Sequence, residues 1–296
     1  MQAGISTPSH KVAQQNAVTC SLYICPTKEL TLLRRHFLAG LALLPALPFA
    51  AHAAKTEFNI GIYPGTGKAD IPAWDFRTSA MPFAEALGAA LDAKCTPTLF
   101  RSIKHITRSM ESGRLDLYFV PPSVAVAALD NKYSPVARVR DQATGVLVRR
   151  KGATVTTVAL TEKESWLDVM ARYTLHRNKQ AVANFMNVKT QEDVMLAMQR
   201  DYAQAGSLRS KLADELIGKG EYELWYPLPT TPDFTLMASD HFNATEQDKL
   251  GAAAVALSPA VIQSLQKTIH SKVTGFVIDK QADYKMIKQA IMEAGY

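Results

Sequence analysis

Three serines stand where a helix is expected to begin: Ser102, Ser123 and Ser207. The first turn of a helix has N–H groups with no intrahelical acceptor, and its end carries a partial positive charge. A hydroxyl beside those N–H groups completes a donor set suited to an oxyanion. Tyr63, just past the first expected strand, and Thr144, just before Gly145, could supply further donors. Asn184 and Tyr226 would face them from a second half of the chain. Each serine is also the residue type that simply caps a helix, and the two tyrosines suit ordinary packing equally well. The chemistry therefore depends on whether these positions converge on one cleft.

The elements that must bring them together alternate between strand and helix patterns, which marks an α/β fold with a largely parallel sheet. Phe58–Tyr63 alternates as a strand, stopped by Pro64-Gly65. A helix from about Thr78 follows, with Met81, Phe83, Ala84, Leu87 and Leu91 as its apolar stripe. Thr98–Phe100 is a strand, and Ser102 caps a helix ending at Gly113. Leu115–Val120 is a strand that turns through Pro121-Pro122 into the helix Val124–Leu129. Pro135–Val139 and Gly145–Arg149 read as further strands.

A second α/β unit runs through the strands Thr154–Ala159, Ala181–Phe185 and Glu221–Tyr226. Its helices are Ser165–Tyr173, one from Thr190 through Met198, and Leu208–Ile217. After the proline-rich Pro227–Pro232, the strand Thr235–Ala238 resumes the first pattern. Helices at Thr245–Leu257, Pro259–His270 and Ala282–Glu293 close the chain. Two connections, near Val148–Val155 and Pro227–Phe234, would join two lobes as a hinge. On this division lobe one is 54–148 plus 233–296 and lobe two is 149–232, with a cleft between them for a ligand.

The first 53 residues read as an export segment with an N-terminal extension. Arg34-Arg35-His36-Phe37-Leu38 leads into an apolar run to Ala50, and Ala51-His52-Ala53 places cleavage near Ala53. The apolar run is about 14 residues, shorter than a membrane-spanning helix requires. The twin arginine matches a signal for export of folded protein, and a general secretory signal with two arginines fits as well. What remains is about 243 residues, enough for one large domain or two lobes.

The whole chain carries +6. Without the export segment the excess falls to about +3, too slight to imply nucleic acid and compatible with an anionic small ligand. Cys20 and Cys25 leave with the segment, so Cys95 stands alone, without a disulfide partner or a cysteine-based metal site.

Catalytic patterns are weak. Gly65-Thr66-Gly67-Lys68 has the wrong spacing for a phosphate loop, with Ile62 and Ala69 where a glycine and a hydroxyl residue belong. No G-x-S-x-G or H-E-x-x-H occurs, and His105, His176, His241 and His270 are scattered. A non-enzymatic binding protein without cofactor or metal is therefore expected, with an enzyme on the same fold as the alternative, since architecture alone does not exclude catalysis. Trp166 reads as core, whereas Trp74 and Trp225 fall near expected cleft loops, where they could stack on an organic ligand.

Several segments, in order, resemble the phosphate/phosphite/phosphonate group of ABC-transporter binding proteins. Glu111-Ser112-Gly113-Arg114-Leu115-Asp116-Leu117 is similar to the group's helix-end S-G-x-x-D, followed by a turn at Val120-Pro121-Pro122-Ser123. Asn187 through Met198 resembles the helix before its D-A-G segment, here Gln204-Ala205-Gly206-Ser207. Pro232–Ala238 resembles the return strand, and Phe276 with Ala282-Asp283-Tyr284 the C-terminal segment. The resemblance implies a two-lobed type 2 periplasmic-binding-protein fold. It also implies a monomer in the periplasm that closes on a small oxyanion or organic ligand and delivers it to an inner-membrane ABC permease. A sensory partner in place of the permease would use the same closure. The chain departs from the pattern at Pro121-Pro122 and at Gln204, which replaces the acidic residue of D-A-G.

Overall fold

The computed structural model describes residues 56–66, 71–269, 271–280 and 284–296. The expected export segment 1–53, Gly67-Lys68, His270 and Ala282-Asp283 lie outside the described residues.

Lobe one begins β1 (Glu57–Ile62), α1 (Ala73–Ala89), β2 (Lys94–Leu99), α2 (Ile103–Glu111), β3 (Leu117–Val120), α3 (Pro122–Asp130) and β4 (Tyr133–Val139). The chain then passes through the short β5 (Gln142–Ala143) into lobe two. There it forms β6 (Gly145–Arg150), β7 (Thr157–Leu160), α4 (Trp166–Arg177), β8 (Asn184–Asn187), α5 (Gln191–Gln199), β9 (Ala205–Arg209), α6 (Ser210–Ile217) and β10 (Tyr222–Pro227). It returns through β11 (Thr231–Pro232) to β12 (Thr235–Ser239), α7 (Ala244–Val255), α8 (Pro259–Thr268), β13 (Phe276–Ile278) and α9 (Lys285–Glu293).

The two lobes have separate sheets, ordered β13-β4-β12-β3-β1-β2 and β10-β6-β9-β7-β8. The strands β5 and β11 pair antiparallel as a ribbon between them. This is the two-lobed α/β architecture with hinge crossovers that the alternation of elements predicts. The first change of sheet comes before Gly145, however, and not near Val148–Val155. β6 pairs along its length with β9 and β10, so Gly145–Val148 belongs to lobe two.

Simple rules account for the local structure. Phe58, Ile60 and Ile62 project to one face of β1 and join Phe83 and Leu87 of α1 in a single core. Gly61 lies on the other face, where a Cβ would fall 2.7 Å from the Tyr118 ring. Ser102 caps α2, and Gly113 ends that segment at φ +59°. A Thr190–Asp193 capping box starts α5.

Two helix starts differ from expectation. Pro121 is the N-cap of α3, so Ser123 is that helix's second residue and not its cap. Pro122, with φ already set for a helix, moves the start forward. Ser207 is not at a helix start at all; it lies inside β9, and α6 begins at Ser210. Ser207 is expected to precede a helix at Leu208, but Ala205-Gly206-Ser207 are small because this strand is packed on both faces. A Cβ on Gly206 would meet Val194 Cγ1 at 2.6 Å and Met198 Sδ at 2.8 Å.

The last helix belongs to both lobes. Tyr284 and Ile287 pack with Tyr118 and Val124 of lobe one, while Ala290 joins Leu167 and Leu175 of lobe two. Among the described residues no helix is long and apolar enough to cross a membrane.

Candidate functional site

The carboxyl ends of β1 and β3 in lobe one, and of β7 and β9 in lobe two, face a cavity of about 30 Å³. That is room for roughly one or two waters. Lobe one lines it with Tyr63, Thr66, Pro121 and Phe234, and lobe two with Ser165, Trp166, Gln191 and Arg209. A wider groove of about 880 Å³ shares Gln191, Arg209 and Ser271 with it. This groove runs past the hinge residues Asp141 and Thr144 and past Ser210, Lys211 and Lys272.

Arg209 is the charged centre of the cleft. It ends β9 and immediately precedes α6. Its backbone N–H donates to Gln191 Oε1 at 2.8 Å. Its guanidinium donates across the lobes to Asp233 Oδ1 at 3.2 Å and Ser271 Oγ at 3.4 Å. The same group lies 4.6 Å from the centre of the Trp166 ring, a cation–π contact. Trp166 is fixed in turn by its indole N–H, which donates to Thr231 Oγ1 of the hinge ribbon at 2.8 Å. An arginine held by an aromatic face and one carboxylate keeps donors for a second oxyanion, because its fork has five N–H groups.

Beside Arg209 is the start of α4. Ser165 caps it, accepting from Asp168 N–H at 3.3 Å, and its hydroxyl meets Thr161 Oγ1 at 2.7 Å. Trp166 and Leu167, the first two residues of this helix, both line the cavity. The dipole of a helix this long favours negative charge at that point.

The loop Thr161–Ser165, which joins β7 to α4, also reaches lobe one. The buried Tyr63 hydroxyl donates to Glu162 Oε2 at 2.7 Å, and Ile103 N–H donates to Glu162 Oε1 at 3.0 Å. Burial, with the Glu162 carboxylate next to it, raises the Tyr63 phenol far above its ordinary pKa, so it stays protonated and remains a donor.

The structure places the other candidate residues as follows. Ser102 caps α2, its Oγ accepting from His105 N–H at 3.3 Å. Ser123 is buried in the first turn of α3, two residues beyond the cavity-lining Pro121, and its Oγ has no partner among the described residues. Thr144 lines the wider groove, and its Oγ1 accepts from Ser210 Oγ at 3.3 Å. Ser207 is fully buried in the sheet two residues before Arg209, also without a partner among the described residues.

Asn184 is exposed at the start of β8, the end of that parallel strand farthest from the cleft. Asn187, at its other end, donates to Thr161 O at 2.7 Å and Asp168 Oδ1 at 2.8 Å. Tyr226 packs against Trp225 beside the core of lobe two and lines neither cavity. Trp74 is 76% exposed; Trp166 is in the core of lobe two, as expected, and also lines the cavity.

Sequence reasoning missed Arg209, Gln191 and Glu162. A charged residue directly after the small and apolar Ala205–Leu208 was the one available signal for Arg209. Nothing local marks Glu162, whose lobe-one partners are 99 and 59 residues away in sequence.

Solved structures of the same architecture define the class. The ATP-bound XAC2383 from Xanthomonas citri is 11% identical, covering 81% of this chain and 97% of that one with a TM-score of 0.66. PhnD1 from Prochlorococcus marinus, in complex with methylphosphonate, is 13% identical over 79% and 97% of the two chains, with a TM-score of 0.61. A binding-protein component of an ABC phosphonate transporter from Pseudomonas aeruginosa is 14% identical over 81% and 87%, with a TM-score of 0.59. The fold is that of the two-lobed type 2 periplasmic binding proteins. Among curated protein sequences none matches this chain significantly. The sequence profile of the family described as "ABC transporter, phosphonate, periplasmic substrate-binding protein" matches residues 75–284, and the chain belongs to that family.

Proposed function

We propose that this chain, exported by residues 1–53 and cleaved near Ala53, works as a monomer in the periplasm. There it captures a small phosphonate-like oxyanion between its lobes and presents it to an ABC permease. The observation that carries this reading is Arg209: its guanidinium lies over the Trp166 ring of lobe two, beside the start of α4, and donates to Asp233 of lobe one. A doubly charged oxyanion would accept from the guanidinium fork and from the first N–H groups of α4, and Ser123 in lobe one would add a hydroxyl. Because the cavity beside Arg209 is small, the solute enters by separation of the lobes, and it shifts the equilibrium by binding the closed form better. The width of the groove beside Arg209 favours including larger anions among the candidates.

The test is a thermal-shift screen with phosphate, phosphite, methylphosphonate, an alkanesulfonate and ATP. A solute at about a hundred times its dissociation constant should add about 2.7 kcal/mol and raise the melting temperature. No shift with any of these anions would sink the reading.

Ser123→Ala is expected to weaken the best solute of that screen by about 1–3 kcal/mol in titration calorimetry. Ser207→Ala, in contrast, should leave affinity unchanged and make the protein slightly more stable, because it removes a buried hydroxyl without a partner among the described residues. Equal losses of affinity in both variants would mean that Ser207 reaches the solute after all.

A further inference from the structure

The donors expected to take a ligand in lobe one are held by the protein's own carboxylate. Glu162 extends from lobe two and receives two hydrogen bonds, one per oxygen, from the Tyr63 hydroxyl and the Ile103 N–H. Both donors are formally uncharged: a buried phenol and the first N–H of a nine-residue helix whose N-cap serine is turned to His105. This is the kind of donor set that binds an oxyanion at a helix start.

The loop carrying Glu162 is held rigidly. Thr161 and Ser165 share a hydroxyl–hydroxyl bond, and Ser165 N–H donates to Glu162 O at 3.0 Å. Glu164 takes a left-handed conformation at φ +66°, and its N–H donates to the buried Asp168 at 3.1 Å. The other contacts of Asp168 run to Arg172, to Asn187 and to the hydroxyl of the last residue, Tyr296. The carboxylate is thus presented to lobe one at a fixed height, as a ligand group on a tether.

We infer that Glu162 is an interlobe latch: a tethered surrogate anion that occupies the Tyr63–α2 position and holds the lobes together without a solute. A free oxyanion that is to use these two donors must expel it. Solutes are therefore directed to Arg209 and the start of α4, and the Tyr63–α2 position opens to them only when Glu162 is removed. The inference rests on the two-lobed fold and the tether, not on the identity of the solute, so the solute screen can fail while the latch stands.

The test places spin labels on two exposed helix positions, Glu85→Cys in α1 and Glu215→Cys in α6, and measures the interlobe distance in solute-free protein. The otherwise unaltered protein should give one narrow distribution, insensitive to added sodium formate. Glu162→Ala should shift and broaden it, and formate, which restores a carboxylate to the vacated donors, should return it toward the narrow form. Glu162→Gln keeps the shape but loses the charge and should lie between the two. It also serves where the alanine variant does not fold, with circular dichroism as the check. Unchanged distances in both variants would overturn the latch, as would an opened alanine variant that formate does not reclose.

Discussion

Arg209→Ala should abolish solute capture and destabilise the protein at once, the largest combined effect of any single change in the cleft. Removing one partner of a desolvated charge pair costs several kcal/mol, so affinity for the oxyanion should fall by about 100-fold or more. The stability loss has a separate origin. Asp233 is 2% exposed, and without the guanidinium it becomes a buried charge without its cation. A loss of about 3 kcal/mol follows, which in a protein of this size lowers the melting temperature by roughly 6–10 °C. The double variant Arg209→Met, Asp233→Asn separates the two effects, because it should recover much of the stability and none of the binding. Wild-type affinity in Arg209→Ala, measured by calorimetry, would remove Arg209 from the site.

The second large effect is expected in stability, at a carboxylate beneath the start of α4. Asp168 is fully buried and accepts four hydrogen bonds, from Arg172 Nε, Asn187 Nδ2, Glu164 N–H and Tyr296 Oη. Asp168→Ala leaves all four donors without their acceptor, one of them the cation of Arg172, which is 18% exposed. A loss of about 3–5 kcal/mol in urea unfolding is expected. Tyr296→Phe removes a single bond to a charged acceptor and should cost about 1.5 kcal/mol. Similar losses in the two variants would show that the C-terminal hydroxyl, and not the carboxylate, organises the loop.

The sequence reveals the fold and the site to different degrees, for physical reasons. Alternation in β1 and the apolar stripes of α1 and α2 reflect one-sided burial, which leaves a periodic trace along the chain. β9 is covered on both faces and leaves no such trace, so Ser207 is expected at a helix start and Leu208 in the helix. Strand β13 has only three residues, too few for a pattern.

The site was less legible. Candidate hydroxyls are visible because capping is local, and Ser102 is indeed a cap. Whether such a hydroxyl faces a cleft depends on strand direction: Asn184 and Asn187 are three residues apart, yet they lie at opposite ends of β8. Contacts between lobes, such as Glu162 with Tyr63 and Arg209 with Asp233, depend on chain crossings that no short window contains.

The crossings also determine the order in which this molecule can be made. Lobe two is one unbroken stretch between the paired hinge strands, so it can fold as it leaves the ribosome. Lobe one cannot: β3 pairs with β12, and β4 awaits β13, so its sheet stays incomplete until all of lobe two and the strands after it have been made. The loop at the start of α4 waits longer still, for the hydroxyl of Tyr296 beyond α9. A chain that lacked Tyr296 would therefore keep the strands of both lobes but lose one anchor of its cleft loop.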